Sequence, residues 1–411
     1  MTSDIGSRPE IVEDGQWWMP LTDGRTAGNL ITVDDGALRL ELDGYFVPST
    51  DRSQILWGET ADARPVTLLG CLVLSSGRSR QEVHVHAALI GVHIESADDA
   101  IFVAQSASLS NLTDWATRGS VEPPLPQQIT NPQCPEEQLS LQRVGREVQL
   151  LIESNQPRNW AGFGATTQSL LDLLTVAGNA DCRIESSVLT SIDGSTVHVR
   201  MKTDPVIEHR WHPVFALSTV PERFVTEWLC LREQLGMPGS VLFSLDYGGH
   251  GYFQNKLFNA ASAAEGFHRI LFPNSTGLSA QKYKDLREHI KTVPDDEARN
   301  WAMSAIGRNQ PGLATRMQEL ASIPDSEAVT IVLRDQDKWV SWVVNARNAI
   351  GHSNLDGMGK IPHTVRPALT YVTKTLLHLV IFEKLGLTPD QQRSAAAVSY
   401  YNLRQPYNDY F

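Results

Sequence analysis

Six consecutive residues, RNAIGH from Arg347 to His352, carry the groups that phosphodiester chemistry needs. A guanidinium such as that of Arg347 forks to two phosphate oxygens at once. An imidazole such as that of His352 titrates near neutral pH, so it can exchange a proton with a hydroxyl or a leaving oxygen. An RNA strand brings its own nucleophile, the ribose 2′-OH, and needs no metal when that oxygen attacks the adjacent phosphorus. In an unbroken helix Arg347 and His352 would point about 140° apart, at roughly 100° per residue. Gly351 is expected to end the helix in a left-handed turn and swing His352 back beside Arg347. Asn348 adds a polar group next to the arginine.

Spacing alone is a weak signal. Arg78 precedes His84, and Arg80 precedes His86, at a similar distance in the run SRQEVHVHAAL, which reads as a strand. What sets RNAIGH apart is its place late in an amphipathic helix expected over Ala328–Ile350, with Trp339, Trp342, Val343, Ala346 and Ile350 on its apolar side. Three further residues could support it. Glu265 either orients Arg347 from an earlier helix or is a helix-surface carboxylate. Lys360 and His363, in GMGKIPH, either contact RNA phosphates or belong to a polar loop. His268 reads as a structural residue. Glu82, His84 and His86 share a strand face, as metal ligands can, but a polar strand face explains them as well. The stretch Asp246 to Tyr252 is glycine-rich without a phosphate-loop lysine and reads as a loop before a helix. Trp17 and Trp18 read as packing residues.

The elements that must position these groups fall in two halves. Residues 10–205 show short alternating or β-branched runs, among them Leu30–Val33, Leu38–Leu42, Val66–Leu74, Glu82–Ile90, Ala100–Val103, Val148–Ile152, Cys182–Leu189 and Val197–Met201. Turn signals such as Asp43-Gly44 and Asp193-Gly194 separate them, which predicts a sandwich or barrel-like sheet. A Pro- and Gln-rich segment from Glu122 to Gln138 reads as a long connector. Beyond Val206 the apolar period becomes helical. Phe224, Trp228, Leu231 and Leu235 form one stripe, ending at Gly236 and Pro238. Tyr252–Ile270 is a second helix. Ser279 caps a third, Pro294-Asp295-Asp296-Glu297 opens a fourth, and Thr364–Leu385 is closed by Gly386. The fold class expected is therefore α+β, with domains at 1–205 and 206–411.

The chain has 411 residues, 41% hydrophobic and 20% charged, with a formal net charge of −12. The charge is uneven. Residues 1–205 hold 14 Lys and Arg against 27 Asp and Glu, a net −13; residues 206–411 hold 21 against 20, a net +1. A protein that coats nucleic acid along its whole surface is excluded, whereas the second half can meet a polyanion. The first residues are acidic and have no apolar core, so no secretory signal is expected. No apolar run is long enough to span a membrane. The four cysteines are scattered, which points to reduced thiols and a cytoplasmic protein rather than a zinc cluster.

RNAIGH fits the motif of HEPN domains: Arg, a polar residue, three more residues, then His. ASAAEGFHRI resembles the first long HEPN helix, and VSWVVNARNAIGHSN the motif-bearing one. The first half resembles the β-rich domain of ApeA-type anti-phage proteins through GQWWMP, AGNLITVDDGALRLELDGYF, ILWGETADARPVTLLGC and NLTDW. The resemblance implies an all-α HEPN bundle after the β-rich domain, its core at about residues 250–386. It implies a homodimer in which two motifs face one composite cleft. The activity implied is metal-independent RNA cleavage, without a cofactor, leaving a 2′,3′-cyclic phosphate and a 5′-hydroxyl. Carried over, Arg347 binds the scissile phosphate, His352 is the general acid or base, and Asn348 orients them. The biological role implied is abortive defence against phage. The net −13 of the first half suggests either that it recognises a protein trigger, such as a phage protein, or that its acidity keeps RNA out of the cleft until a trigger arrives; the RNA partner, whether tRNA, rRNA or mRNA, is left open. Two rival readings are a degenerate HEPN module for dimerisation or RNA docking, and a ligand-binding β domain on a helical oligomerisation platform.

Overall fold

The computed structural model describes residues 10–34, 36–44, 46–47, 54–77, 79–119, 127–202, 213–247, 251–352 and 358–402. It divides into two units, Met1–Leu229 and Cys230–Phe411. The boundary expected at residues 205 and 206 lies outside the described residues.

In the first unit, strand periodicity follows the hydrophobic pattern directly. Strand β3 (Leu38–Leu42) alternates buried Leu38, Leu40 and Leu42 with Arg39 and Glu41. Strand β6 (Gln81–Val85) does the same with Gln81, Val83 and Val85 inward. Together with β1 (Glu10–Trp18), β2 (Thr26–Thr32), β4 (Gln54–Thr60) and β5 (Pro65–Ser76), they pair in the order β4-β1-β2-β3-β6-β5, and β5 returns to β4. The six strands thus close into a barrel. Its interior holds Trp17, Leu30, Leu40, Leu56, Leu68 and Val83. Trp17 donates from Nε1 to the Gly28 carbonyl at 2.8 Å, and Gly58 leaves room for its ring; a Cβ there would sit 2.3 Å from it. Trp17 and Trp18 are 0% and 7% exposed, so they serve as packing.

The barrel is not the whole sheet. Strand β7 (Ala87–Ile90) also pairs with β5, and from it the sheet continues through β13 (Thr196–Met201), β12 (Ile184–Ser191), β8 (Phe102–Leu109), β11 (Glu147–Arg158), β10 (Glu137–Val144) and β9 (Gln127–Thr130). The run expected as one strand, Glu82–Ile90, is therefore broken at His86. Residues before it complete the barrel and residues after it start the extension. Opposite His86 stands Gly70 at φ +66, where a Cβ would lie 2.5 Å from the His86 Cβ. Only glycine fits both the dihedral and the approach.

Two short helices, α1 (Leu112–Thr117) and α2 (Gly164–Gly178), interrupt the strands. Helix α2 was not expected. It buries Leu170, Leu171, Leu173 and Leu174, so its apolar residues surround it and give no one-sided stripe. Thr167 donates to Gln105, which donates to Ser187, tying α2 to the sheet. The Pro- and Gln-rich connector also contains strand β9, which pairs with β10.

The helical half follows expectation at Gly236. Two helical segments, labelled together as α3 (Phe224–Tyr247), meet there: Gly236 is non-helical, at φ 46 and ψ −127, and the second segment has Pro238 near its start. Proline is tolerated in the first turn after such a break, where no amide bond is lost. The single helix expected over Ala328–Ile350 is two, α8 (Ser326–Leu333) and α9 (Gln336–Gly351). Arg334 adopts φ 49 between them, and Asp335 caps α9 by accepting from the Lys338 amide. Further helices among the described residues are α4 (Phe253–Leu271), α5 (Ala280–Lys291), α6 (Asp296–Ile306), α7 (Leu313–Ala321), α10 (Val365–Lys384) and α11 (Pro389–Asn402). Ser279 caps α5 as expected, and α6 opens within the expected Pro294-Asp295-Asp296-Glu297 run, with Asp295 as its cap and Asp296 and Glu297 in its first turn. Helix α10 is the centre of the bundle, with Leu369, Val372, Leu376 and Val380 fully or almost fully buried. No helix among the described residues is long and apolar enough to cross a membrane.

Candidate active site

Helices α4, α7 and α9 pack on one another, and each contributes one end of an ionic cluster. The small buried face of α4, Ala260, Ala261, Ala263 and Ala264, lets its neighbours approach closely. Helix α9 turns Trp339, Val343 and Ala346 into the core, and Trp339 donates to Thr373 Oγ1 at 3.1 Å. These contacts fix the roll of α9. Arg347 is left partly exposed, while Asn348 and His352 are exposed.

The carboxylate of Glu265 is the hub. Its Oε2 accepts from Nη2 of Arg347 at 3.3 Å. Its Oε1 accepts from Nη1 of Arg316 at 3.1 Å and from Nη2 of Arg269 at 2.7 Å. Glu265 therefore faces Arg347, rather than serving as a plain helix-surface carboxylate. The guanidinium of Arg316 is nearly buried, with a side chain 6% exposed, and also donates to the Pro311 carbonyl and Gln310 Oε1. Burial pushes the Arg316 pKa below its ordinary value; Arg269 adds to this, Glu265 opposes it, and Arg347 adds again. Three cations share one carboxylate, and Nε of Arg347 is buried without an acceptor.

The end of α9 differs from the sequence expectation. Gly351 is not left-handed and belongs to the helix, and the His352 amide donates to the Asn348 carbonyl at 3.0 Å as in a continuing turn. His352 is the helix cap. Gly351 instead lies beneath the arginine four residues earlier. A Cβ on it would stand 3.9 Å from Arg347 Nη1 and 3.5 Å from the Phe258 ring. Arg347 thus reaches along the helix toward its C-terminal end, one residue short of His352.

The remaining residues are placed as follows. Lys360 is exposed, and His363 Nδ1 lies 3.0 Å from Nη1 of Arg366, which also donates to the Ile361 and Met358 carbonyls. His363 thereby helps fix the start of α10. Residues 353–357, which link this segment to His352, lie outside the described residues. His268 is 2% exposed, stacks on Phe272 and lies 2.5 Å from Glu319, a core role. Its hydrogen bond holds the Glu319 pKa below the usual carboxylate range. Glu82 pairs with Arg39, and among the described residues no group of three His, Cys, Asp or Glu side chains is placed to hold a metal ion. Arg269 and Arg316 were missed from sequence. Arg269 was legible as the partner of Glu265 four residues earlier on a helix. Arg316 carries no sequence signal, because only the packing of α7 on α4 brings it there.

Comparison with known families agrees with this architecture. A family model described as ApeA N-terminal domain 1 matches residues 13–139, and one described as Apea-like HEPN matches residues 258–391. The chain is an ApeA-type protein with a C-terminal HEPN domain. The match to the ApeA N-terminal domain covers most of the barrel and runs on into β10. The HEPN match begins within α4 and ends within α11, so it contains Glu265, Arg269, Arg316, Arg347 and His352. No curated protein and no solved structure matches the chain significantly.

Proposed function

We propose that this HEPN domain is a metal-independent endoribonuclease acting in anti-phage defence. The observation that supports this most is the disposition of Arg347. Its guanidinium is held by Glu265 near the end of α9, and exposed His352 caps the same helix five residues on. A cation and an imidazole at one helix end suit a phosphodiester whose charge grows during reaction. Arg347 binds the scissile phosphate. His352 takes the proton from the 2′-OH as that oxygen attacks phosphorus, and a second His352 donates a proton to the departing 5′-oxygen. The two roles call for two imidazoles in opposite protonation states, so the working form is a homodimer with one composite cleft. Asn348, exposed beside Arg347, orients substrate or the partner motif. The acidic β-rich domain senses a phage protein and keeps RNA from the cleft until then.

The test is cleavage of a defined RNA by the full-length protein in excess EDTA. Products with 2′,3′-cyclic phosphate ends, and no cleavage where the attacking ribose is 2′-deoxy, are expected. Cleavage that continues at a 2′-deoxy position, or that EDTA stops, contradicts the reading.

A further inference from the structure

The charge around Glu265 is not balanced. Arg316 is almost buried, and its bonds to Pro311 and Gln310 hold it in place, so it is the fixed counter-ion of Glu265. Arg269 and Arg347 are then surplus cations. Arg269 is 60% exposed at its side chain and Arg347 31%, so both reach solvent. They approach different oxygens of one carboxylate, Arg269 at Oε1 and Arg347 at Oε2, and so flank it. The crowding of like charge is felt by Arg316, whose pKa falls in part because of both neighbours. An anion arriving beside the cluster relieves that repulsion.

One phosphate would neutralise one of the two surplus charges. A single RNA strand offers phosphates in series, each with one negative charge. We propose that Arg269 binds a phosphate adjacent to the scissile one, so that Glu265 anchors a two-arginine clamp on consecutive phosphodiesters of a single strand. This rests on the nuclease reading for Arg347. Arg269 is a substrate-binding residue, and Arg316 is a positioning residue that acts through Glu265. The competing description is an ordinary surface pair four residues apart on a helix, which contributes little. In that case Arg269 never leaves Glu265 and RNA does not sense it.

The test is equilibrium binding of a single-stranded 2′-O-methyl oligoribonucleotide, which has no attacking hydroxyl, to the full chain over a series of salt concentrations. Each phosphate contact on a single strand contributes about 0.7 to the slope of log affinity against log salt. Arg269→Ala is expected to lower the slope by about that amount and weaken binding. Arg269→Lys is expected to restore the slope, because the charge is kept. An unchanged slope in Arg269→Ala overturns the proposal, as does wild-type protein that does not bind the oligonucleotide. A slope that falls equally in the lysine variant overturns it too, since that marks a structural rather than a charge effect. Cleavage is not read in this experiment. Failure of the nuclease reading appears separately, as cleavage that survives His352→Ala.

Discussion

Nη2 of Arg347 lies 3.3 Å from Oε2 of Glu265, across 82 residues of sequence, and this contact joins the motif-bearing helix to the first long helix of the HEPN domain. Glu265 also neutralises buried Arg316. The contact is therefore part of the core and part of the site at once.

That double role predicts an unequal response to mutation. Glu265→Gln leaves Arg316 buried without its counter-ion, a loss of about 3 kcal/mol for a broken buried pair. Arg269→Ala removes only an exposed partner and costs less than about 1 kcal/mol. Urea unfolding checks both: the Glu265 variant shifts to a clearly lower midpoint at unchanged m-value, and the Arg269 variant hardly moves. Equal shifts would place the stabilising contact elsewhere.

Gly351 gives a sharper contrast. A left-handed C-terminal residue would lose stability on substitution by alanine. Gly351 is helical, and a Cβ there meets only ordinary contacts. Gly351→Ala is therefore expected to raise stability by about 0.5 kcal/mol and to keep RNA cleavage. Gly351→Leu is expected to push the Arg347 guanidinium aside and lose cleavage while remaining folded. Thermal melts with a cleavage assay separate the two, and a destabilised alanine variant would count against the helical assignment.

Gly70 should behave in the opposite way. Its φ of +66 and the His86 Cβ 2.5 Å away leave no room for a side chain. Gly70→Ala is expected to destabilise the first unit by about 2 kcal/mol or more. Its melting temperature, compared with that of a Gly194→Ala variant, isolates the steric part. Gly194 also has positive φ, at +83, but nothing lies within 4 Å of its Cβ position. Equal losses would leave the strand corner unexplained.

His378 predicts a pH response. Burial, and then the charge on Lys374, hold its pKa well below the ordinary 6.5. The unfolded chain binds a proton there below pH 6.5 that the folded chain does not. The stability linked to His378 is complete above that pH and falls as pH drops, by about 1.4 kcal/mol per pH unit, until the folded imidazole titrates. Unfolding free energies between pH 7 and 5 should therefore fall less steeply in His378→Leu than in wild type. Parallel profiles would show that His378 is protonated in the folded chain.

Much of this molecule was readable because local patterns agree with the global fold. Alternation in Leu38–Leu42 and the cap at Ser279 depend only on neighbours in sequence. What escaped depends on distant neighbours. Helix α2 is enclosed on most sides and shows no polar stripe. The break at Arg334 and Asp335 hides in a run whose apolar residues keep helical spacing on both sides. The strand corner at His86 is set by Gly70, sixteen residues away. In the candidate site, the contact between Glu265 and Arg347 was legible, but Gly351 is not the left-handed cap expected. A glycine near a helix end suggests a left-handed cap, whereas Gly351 is helical and only a side chain longer than a methyl would meet Arg347. Arg316 was invisible for the same reason: α7 approaches α4 only in three dimensions.

In the proposed reaction, Arg347 and His352 cut RNA through its own 2′-OH. The most direct measurement is to induce the full-length protein in cells, map RNA 5′-hydroxyl ends across the transcriptome, and repeat with His352→Ala at equal abundance. New 5′-hydroxyl ends at discrete sites in wild type, absent from the variant, are the predicted result. The same ends in both, or none in wild type under conditions where it is toxic, would contradict the account.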